Sequence, residues 1–130
     1  MSQAVCLTHF FIMTYPSLPP APLTEWLLSF MGLRMRLRVT GDSMLPGLKA
    51  GDLVLADKKA YAQALPECGD IVVALHPIKQ DLIIIKRVAE LTNEGAIYLL
   101  SDNPEGSDSR QFGAVTLKHV LAKVTSYSAA

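Results

Sequence analysis

The apolar positions change their spacing along the chain. In LTEWLLSFMGL, residues 23–33, Trp26, Leu27, Phe30 and Met31 can share one helical stripe, with Glu25 among them and Thr24 placed to cap the start. From Leu33 the period drops to two. Leu33, Met35, Leu37 and Val39 fall on one side and Arg34, Arg36 and Arg38 on the other, which predicts a half-buried strand. Two phrases then echo each other, KAGDLVLAD at 49–57 and ECGDIVVAL at 67–75. Each is a Gly-Asp turn feeding a short apolar strand, too short to count as a structural repeat. DLIIIKRVAEL from Asp81 to Leu91, the turn NEG and the run AIYLLSD predict a hairpin. NPEGSDSRQFGAV reads as a loop and VLAKVTSY as a last strand. About six short strands, frequent turn residues and little helix after residue 33 predict a mainly β fold, a small coiled antiparallel sheet or partial barrel with one N-terminal helix.

The same reading divides the chain into an arm, residues 1–34, that carries the amphipathic helix, and a domain over residues 35–130. The helix stripe can pack on the domain, the commoner use of such a pattern, or lie in a membrane interface with the arginines of residues 34–38 on the headgroups. Ahead of it, AVCLTHFFIMTY is a run of 12 residues with no basic residue before it. That is too short to span a bilayer and unlike a cleaved signal peptide.

Composition adds mostly exclusions. At 130 residues the chain can bury one real core. Its 12 basic and 12 acidic residues cancel, so no overall field recruits nucleic acid, and no basic surface beyond Arg34, Arg36 and Arg38 suggests it. Cys6 and Cys68 lie far apart without metal-ligand spacing, which predicts no disulfide framework and a reducing, cytoplasmic compartment. No phosphate-loop, HExxH or EF-hand pattern occurs, and no cofactor or metal is expected.

Two stretches carry candidate chemistry. In LIIIKRV, alternation puts Lys86 on the face of Leu82, Ile84 and Val88, with Ile83, Ile85 and Arg87 opposite. Such a lysine either guards a sheet edge and snorkels to water, or is desolvated so that its pKa falls and it becomes a general base. A neutral lysine can take the proton of a serine held on a stiff turn, and Ser43 in VTGDSMLPGL is the natural candidate. The Gly-Asp turn could expose the hydroxyl and aim the backbone N–H groups of Asp42 and Ser43 at one point, an oxyanion hole. His9, His76 and His119 have no comparable partner, and Cys68 reads as a buried or turn thiol.

Three separated stretches, GDSMLPGL around Ser43, IIIKRV around Lys86 and SDNPEGSDSRQFG from Ser101 to Gly113, occur in the order of one set of family motifs. Together, over about residues 38 to 124, they resemble the signal peptidase I superfamily of serine-lysine peptidases. The resemblance implies Ser43 as nucleophile and Lys86 as general base, with Met44 and Ile84 lining a small apolar pocket for the residue before the cut. It implies Ser107 as a hydroxyl partner of the lysine, and Asp108 with Arg110 as an ion pair holding the loop. Gly41 faces the substrate where bacterial signal peptidases carry a hydroxyl that donates to the oxyanion, so the hole falls to the backbone. The third motif is one residue shorter than in bacterial signal peptidases and begins with Ser101 in place of glycine. GDSM also resembles organellar processing peptidases and self-cleaving LexA-type repressors. A short chain with SDNP and DSRQFG is most similar to the nickel-type superoxide dismutase maturation proteases. That likeness implies removal of an N-terminal extension from the metalloenzyme precursor, with no metal held by the protease. The alternatives are processing of exported proteins at a membrane, a self-cleaving regulator, and a binding module without activity.

Overall fold

The computed structural model describes residues 4–5 and 17–130. Cys6, His9 and most of the run at 4–15 lie outside the described residues. The elements, in order, are β1 (Ala4–Val5), α1 (Leu23–Phe30), β2 (Met35–Arg38), β3 (Leu53–Asp57), β4 (Ile71–Leu75), β5 (Ile83–Leu91), β6 (Ala96–Leu100), α2 (Ser109–Phe112), β7 (Val115–Thr116) and β8 (Val120–Ser128). All the strands join one antiparallel sheet in the order β2-β3-β8-β4-β5-β6-β7, with β1 added to β5. The fold is mainly β, a curled partial barrel as the turn pattern predicts.

Alternation explains why β4 reads as an unbroken apolar run. Ile71 and Val73 pack with Val39, Met44, Leu48, Val54 and Val124 on one side of the sheet. Val72, Ala74 and Val88 pack with Ile97, Leu99 and Val115 on the other. Strands at the middle of the curled sheet are thus covered on both faces, so neither face needs polar residues.

The two Gly-Asp phrases are the same turn built twice. Gly51 and Gly69 take φ of 95° and 96°, the left-handed region where a Cβ is costly. The Asp52 carboxylate accepts from the Lys49 amide and that of Asp70 from the Glu67 amide, both at 3.0 Å. Gly51 N–H donates to Val39 O and Val39 N–H to Asp52 O. Gly69 and Asp70 exchange the same two bonds with Val88. One turn therefore pins the chain just before the Ser43 segment, and the other pins β5 just after Lys86.

The helix departs from expectation. Pro22 takes the N-cap position with no side-chain cap bond, and Thr24, expected to cap the start, is the second residue of the helix. No residue of α1 is buried: Leu23, Leu27 and Phe30 are 74%, 53% and 81% exposed, and Met31 at the C-cap is 70% exposed. Trp26 and Leu28 are half-buried, and the side-chain hydrogen bonds that hold the helix to the sheet come from Glu25. Glu25 accepts from Thr125 Oγ1, from Ser126 Oγ at 2.9 Å and from Arg34 Nε at 3.1 Å, anchoring the helix to β8. Burial raises the Glu25 pKa, but these donors outweigh it and leave it lowered. With Glu25→Ala we expect α1 to loosen by about 1–3 kcal/mol, the worth of hydrogen bonds to a charged group. Faster amide exchange confined to residues 23–34 would register it, and unchanged exchange there would refute it.

Two smaller differences stand out. The stretch read as a loop after Asn103 contains α2, because Asp108 caps it: its carboxylate accepts the Arg110 amide while Gln111 Oε1 accepts the Asp108 amide. Cys68 is disulfide-bonded, which corrects both its reading as a buried or turn thiol and the expectation of no disulfide.

Candidate active site

Three elements meet at Ser43. The first is the turn at residues 40–47, where Gly41 has φ +78° with open space where a Cβ would point. Glycine is there for its backbone conformation, since an L side chain would be strained but would meet no atom. Met44 and Leu48 anchor the turn in the core, each 2% exposed, and leave Ser43 at the surface of the sheet.

The second element is β5. Lys86 is 6% exposed, and its Nζ donates to Ser43 Oγ at 2.7 Å. Burial pushes the Lys86 pKa down, and the nearby Asp108 carboxylate pulls it only partly back. In its neutral form the same amine, at the same separation, can accept the hydroxyl proton. Arg87, its neighbour, faces the other way and forms a two-point ion pair with Asp102 at 2.8 and 3.0 Å.

The third element is the loop Ser101–Arg110. Asp108 is fully buried and accepts from Ser101 N, Arg110 N, and Arg110 Nε and Nη2. Burial raises its pKa, yet the Arg110 bonds and the Ser101 amide hold it below the usual carboxylate range. Arg110 also donates to the Pro104 and Gly106 carbonyls, so the pair shapes the loop backbone.

Ser107 is placed differently from the role implied for it. The bond from Lys86 goes to Ser43, while Ser107 offers its backbone carbonyl to the Ser101 hydroxyl at 3.1 Å. The overlooked hydroxyl is Ser101, 3% exposed. A Cβ on Gly106 would come within 2.6 Å of Ser101 Oγ and 2.9 Å of Ser43 Cβ, so the bare glycine lets both serines crowd one spot. The signal was the serine that opens the motif where glycine is usual.

A cavity of about 270 Å³ runs beside Ser43 between Leu37–Thr40 and Leu82–Lys86, with Met44 and Ile84 on its wall. Among the described residues, β2 pairs only with β3, and residues 83–86 of β5 pair only with β4, since β6 joins from Arg87 onward. Among the described residues, both strands therefore present a free backbone edge to this cleft. Neither the Asp42 nor the Ser43 N–H donates to an acceptor among the described residues. His76 receives the Ile78 and Lys79 amides on its Nδ1, and His119 pairs with Thr116, so both rings are engaged elsewhere.

A buried lysine on a serine hydroxyl, beside an open strand-lined cleft in a curled β sheet, is the arrangement of a serine peptidase or self-cleaving protein of the LexA and signal peptidase type. The family model described as Peptidase S24-like matches residues 26–125, and the chain belongs to that family. No curated protein matches the chain.

Proposed function

We propose that the protein is a serine endopeptidase that uses a Ser43–Lys86 dyad to remove an N-terminal extension from a precursor, the nickel superoxide dismutase precursor first among candidates. The observation that carries the dyad is the 2.7 Å contact between Lys86 Nζ and Ser43 Oγ at a lysine 6% exposed. Neutral Lys86 removes the hydroxyl proton as Ser43 Oγ attacks the scissile carbonyl. The lysine then returns the proton to the leaving amine, and water releases the acyl group. The oxyanion is met by backbone N–H groups of Asp42 and Ser43, because Gly41 has no hydroxyl to give. The substrate enters as an extended strand between the free edges of β2 and β5, with Met44 and Ile84 receiving the side chain before the cut.

Incubation with the nickel superoxide dismutase precursor, followed by sequencing of the new terminus, tests the assignment. Cleavage by the wild type and none by Ser43→Ala supports it. Equal cleavage by both removes the dyad, and an intact precursor with the wild type removes this substrate. Intact-mass analysis of the purified chain over time separates self-cleavage from action on another protein.

A second reading, a peripheral enzyme acting on exported proteins, is favoured by the outward apolar face of α1 next to the exposed Arg36 and Arg38. No helix among the described residues is long and apolar enough to cross a membrane, so such contact would be interfacial. In flotation with anionic vesicles, Leu27→Asp with Phe30→Asp is then expected to weaken binding on the order of 10²-fold, two apolar side chains at about 1.5 kcal/mol each. Wild-type protein that stays with the soluble fraction excludes this reading.

A further inference from the structure

Asn103 is the only side chain of the Ser101–Arg110 loop that reaches across to hydrogen-bond the Ser43 turn among the described residues. Its Nδ2 donates to Asp42 O at 3.0 Å, and its backbone N–H donates to Ser43 O at 2.9 Å. Its other two polar groups face its own loop: Oδ1 accepts from Glu105 N at 3.0 Å and the carbonyl accepts from Gly106 N at 2.9 Å. Asn103 is thus a rivet with two bonds in each element.

The bond to Asp42 O has a geometric consequence. A peptide unit is planar and trans, so the carbonyl of one residue points opposite to the N–H of the next. Holding Asp42 C=O toward Asn103 fixes the direction of the Ser43 N–H, which has no acceptor among the described residues. Gly41, at φ +78° with nothing near its Cβ position, puts little steric limit on rotation of this stretch. Leu45 N–H is the other donor to Asp42 O, at 3.2 Å.

We propose that Asn103 is a positioning residue that locks the Asp42–Ser43 peptide with its N–H aimed at the reacting carbonyl oxygen. The inference rests on the serine-peptidase reading above. It makes the third motif a support for the oxyanion site as well as for the lysine. Asn103→Ala and Asn103→Asp both keep the backbone bond to Ser43 O and remove the side-chain donor. The aspartate variant also keeps the size and the acceptor for Glu105.

Two measurements on the full chain test this. In ¹H–¹⁵N spectra of both variants, the Ser43 and Met44 amides are expected to broaden or double while amides of β4 and β8 stay unchanged. With the precursor as substrate, kcat is expected to fall about 10–100-fold, a part of the 10²–10³ that one oxyanion donor supplies. KM and the rising limb of the pH profile set by Lys86 are expected to stay as in the wild type. Wild-type Ser43 amide signals in both variants, or unchanged kcat, overturn the proposal. A loss of thermal stability with kcat unchanged assigns Asn103 a purely structural role and overturns it as well. The Lys86 ammonium titration is followed in the same samples. An ordinary lysine pKa there defeats the dyad, while the Ser43 amide still reports on Asn103 by itself.

Discussion

Lys86→Met is expected to lower kcat by about 10²–10⁴-fold, the usual worth of a general base, with KM nearly unchanged. Methionine has a similar length and no titratable group, so the apolar packing of β5 survives while the proposed base is lost. Ser43→Ala is expected to cost at least as much, because nucleophile and base act as a unit. The double variant should be no worse than either single one. The pH profile gives the sign. With Lys86 as the proposed base, the wild-type rate is expected to rise as pH climbs through the Lys86 pKa, which burial places below that of a free lysine. Asp108 opposes that shift, so Asp108→Asn is expected to move the limb toward lower pH. A profile flat through the neutral and alkaline range, or activity retained in Lys86→Met, would mean that another group takes the proton.

Asp108→Ala is expected to produce the largest loss of stability of any single change in the site. The carboxylate is fully buried and accepts from the buried Ser101 amide, from the α2 amide of Arg110 and from the Arg110 guanidinium. Leaving the Ser101 donor unpaired costs about 1–3 kcal/mol, and losing the cap about 0.5–2 kcal/mol. The ion pair adds little, since the Arg110 side chain is 42% exposed and solvent screens it. A total of about 2–4 kcal/mol corresponds to roughly 8–16 °C in Tm for a domain of this size. The folded-state pKa of Asp108 is depressed, so its contribution is present above the ordinary carboxylate pKa and is lost as pH falls through the lowered value. Wild type and Asp108→Ala should therefore converge in stability in strong acid, as calorimetry across pH would show. Equal melting temperatures near neutral pH would contradict the buried-acceptor account.

Much of this architecture was legible in the residues. The strand periods, the hairpin at Asp81–Leu91 and AIYLLSD, and the repeated Gly-Asp turns depend on nearest neighbours along the chain, so local chemistry suffices to find them. Lys86 was conspicuous because alternation put a charge on an apolar face. The helix at Leu23–Phe30 was legible as a helix, but the side it turns to the sheet was not. An apolar stripe normally faces the core. Here Glu25 finds Thr125 and Ser126, residues one hundred positions away, and three hydrogen bonds hold the polar side inward.

By itself the sequence determined the β class, the turn that exposes Ser43 and the pairing of one serine with one lysine as candidate chemistry. Those features follow from local conformational preference and from the cost of an isolated charge among isoleucines. Tertiary structure alone decided which hydroxyl and which carbonyl stand around that pair. Ser107 turned its carbonyl inward, Ser101 took the crowded place beside Ser43, and Asn103 gripped the turn across a separation of 61 residues to Asp42 O. Contacts between a loop and a distant turn depend on loop length and on the fit of a bare glycine, quantities set by three-dimensional packing and absent from any local pattern.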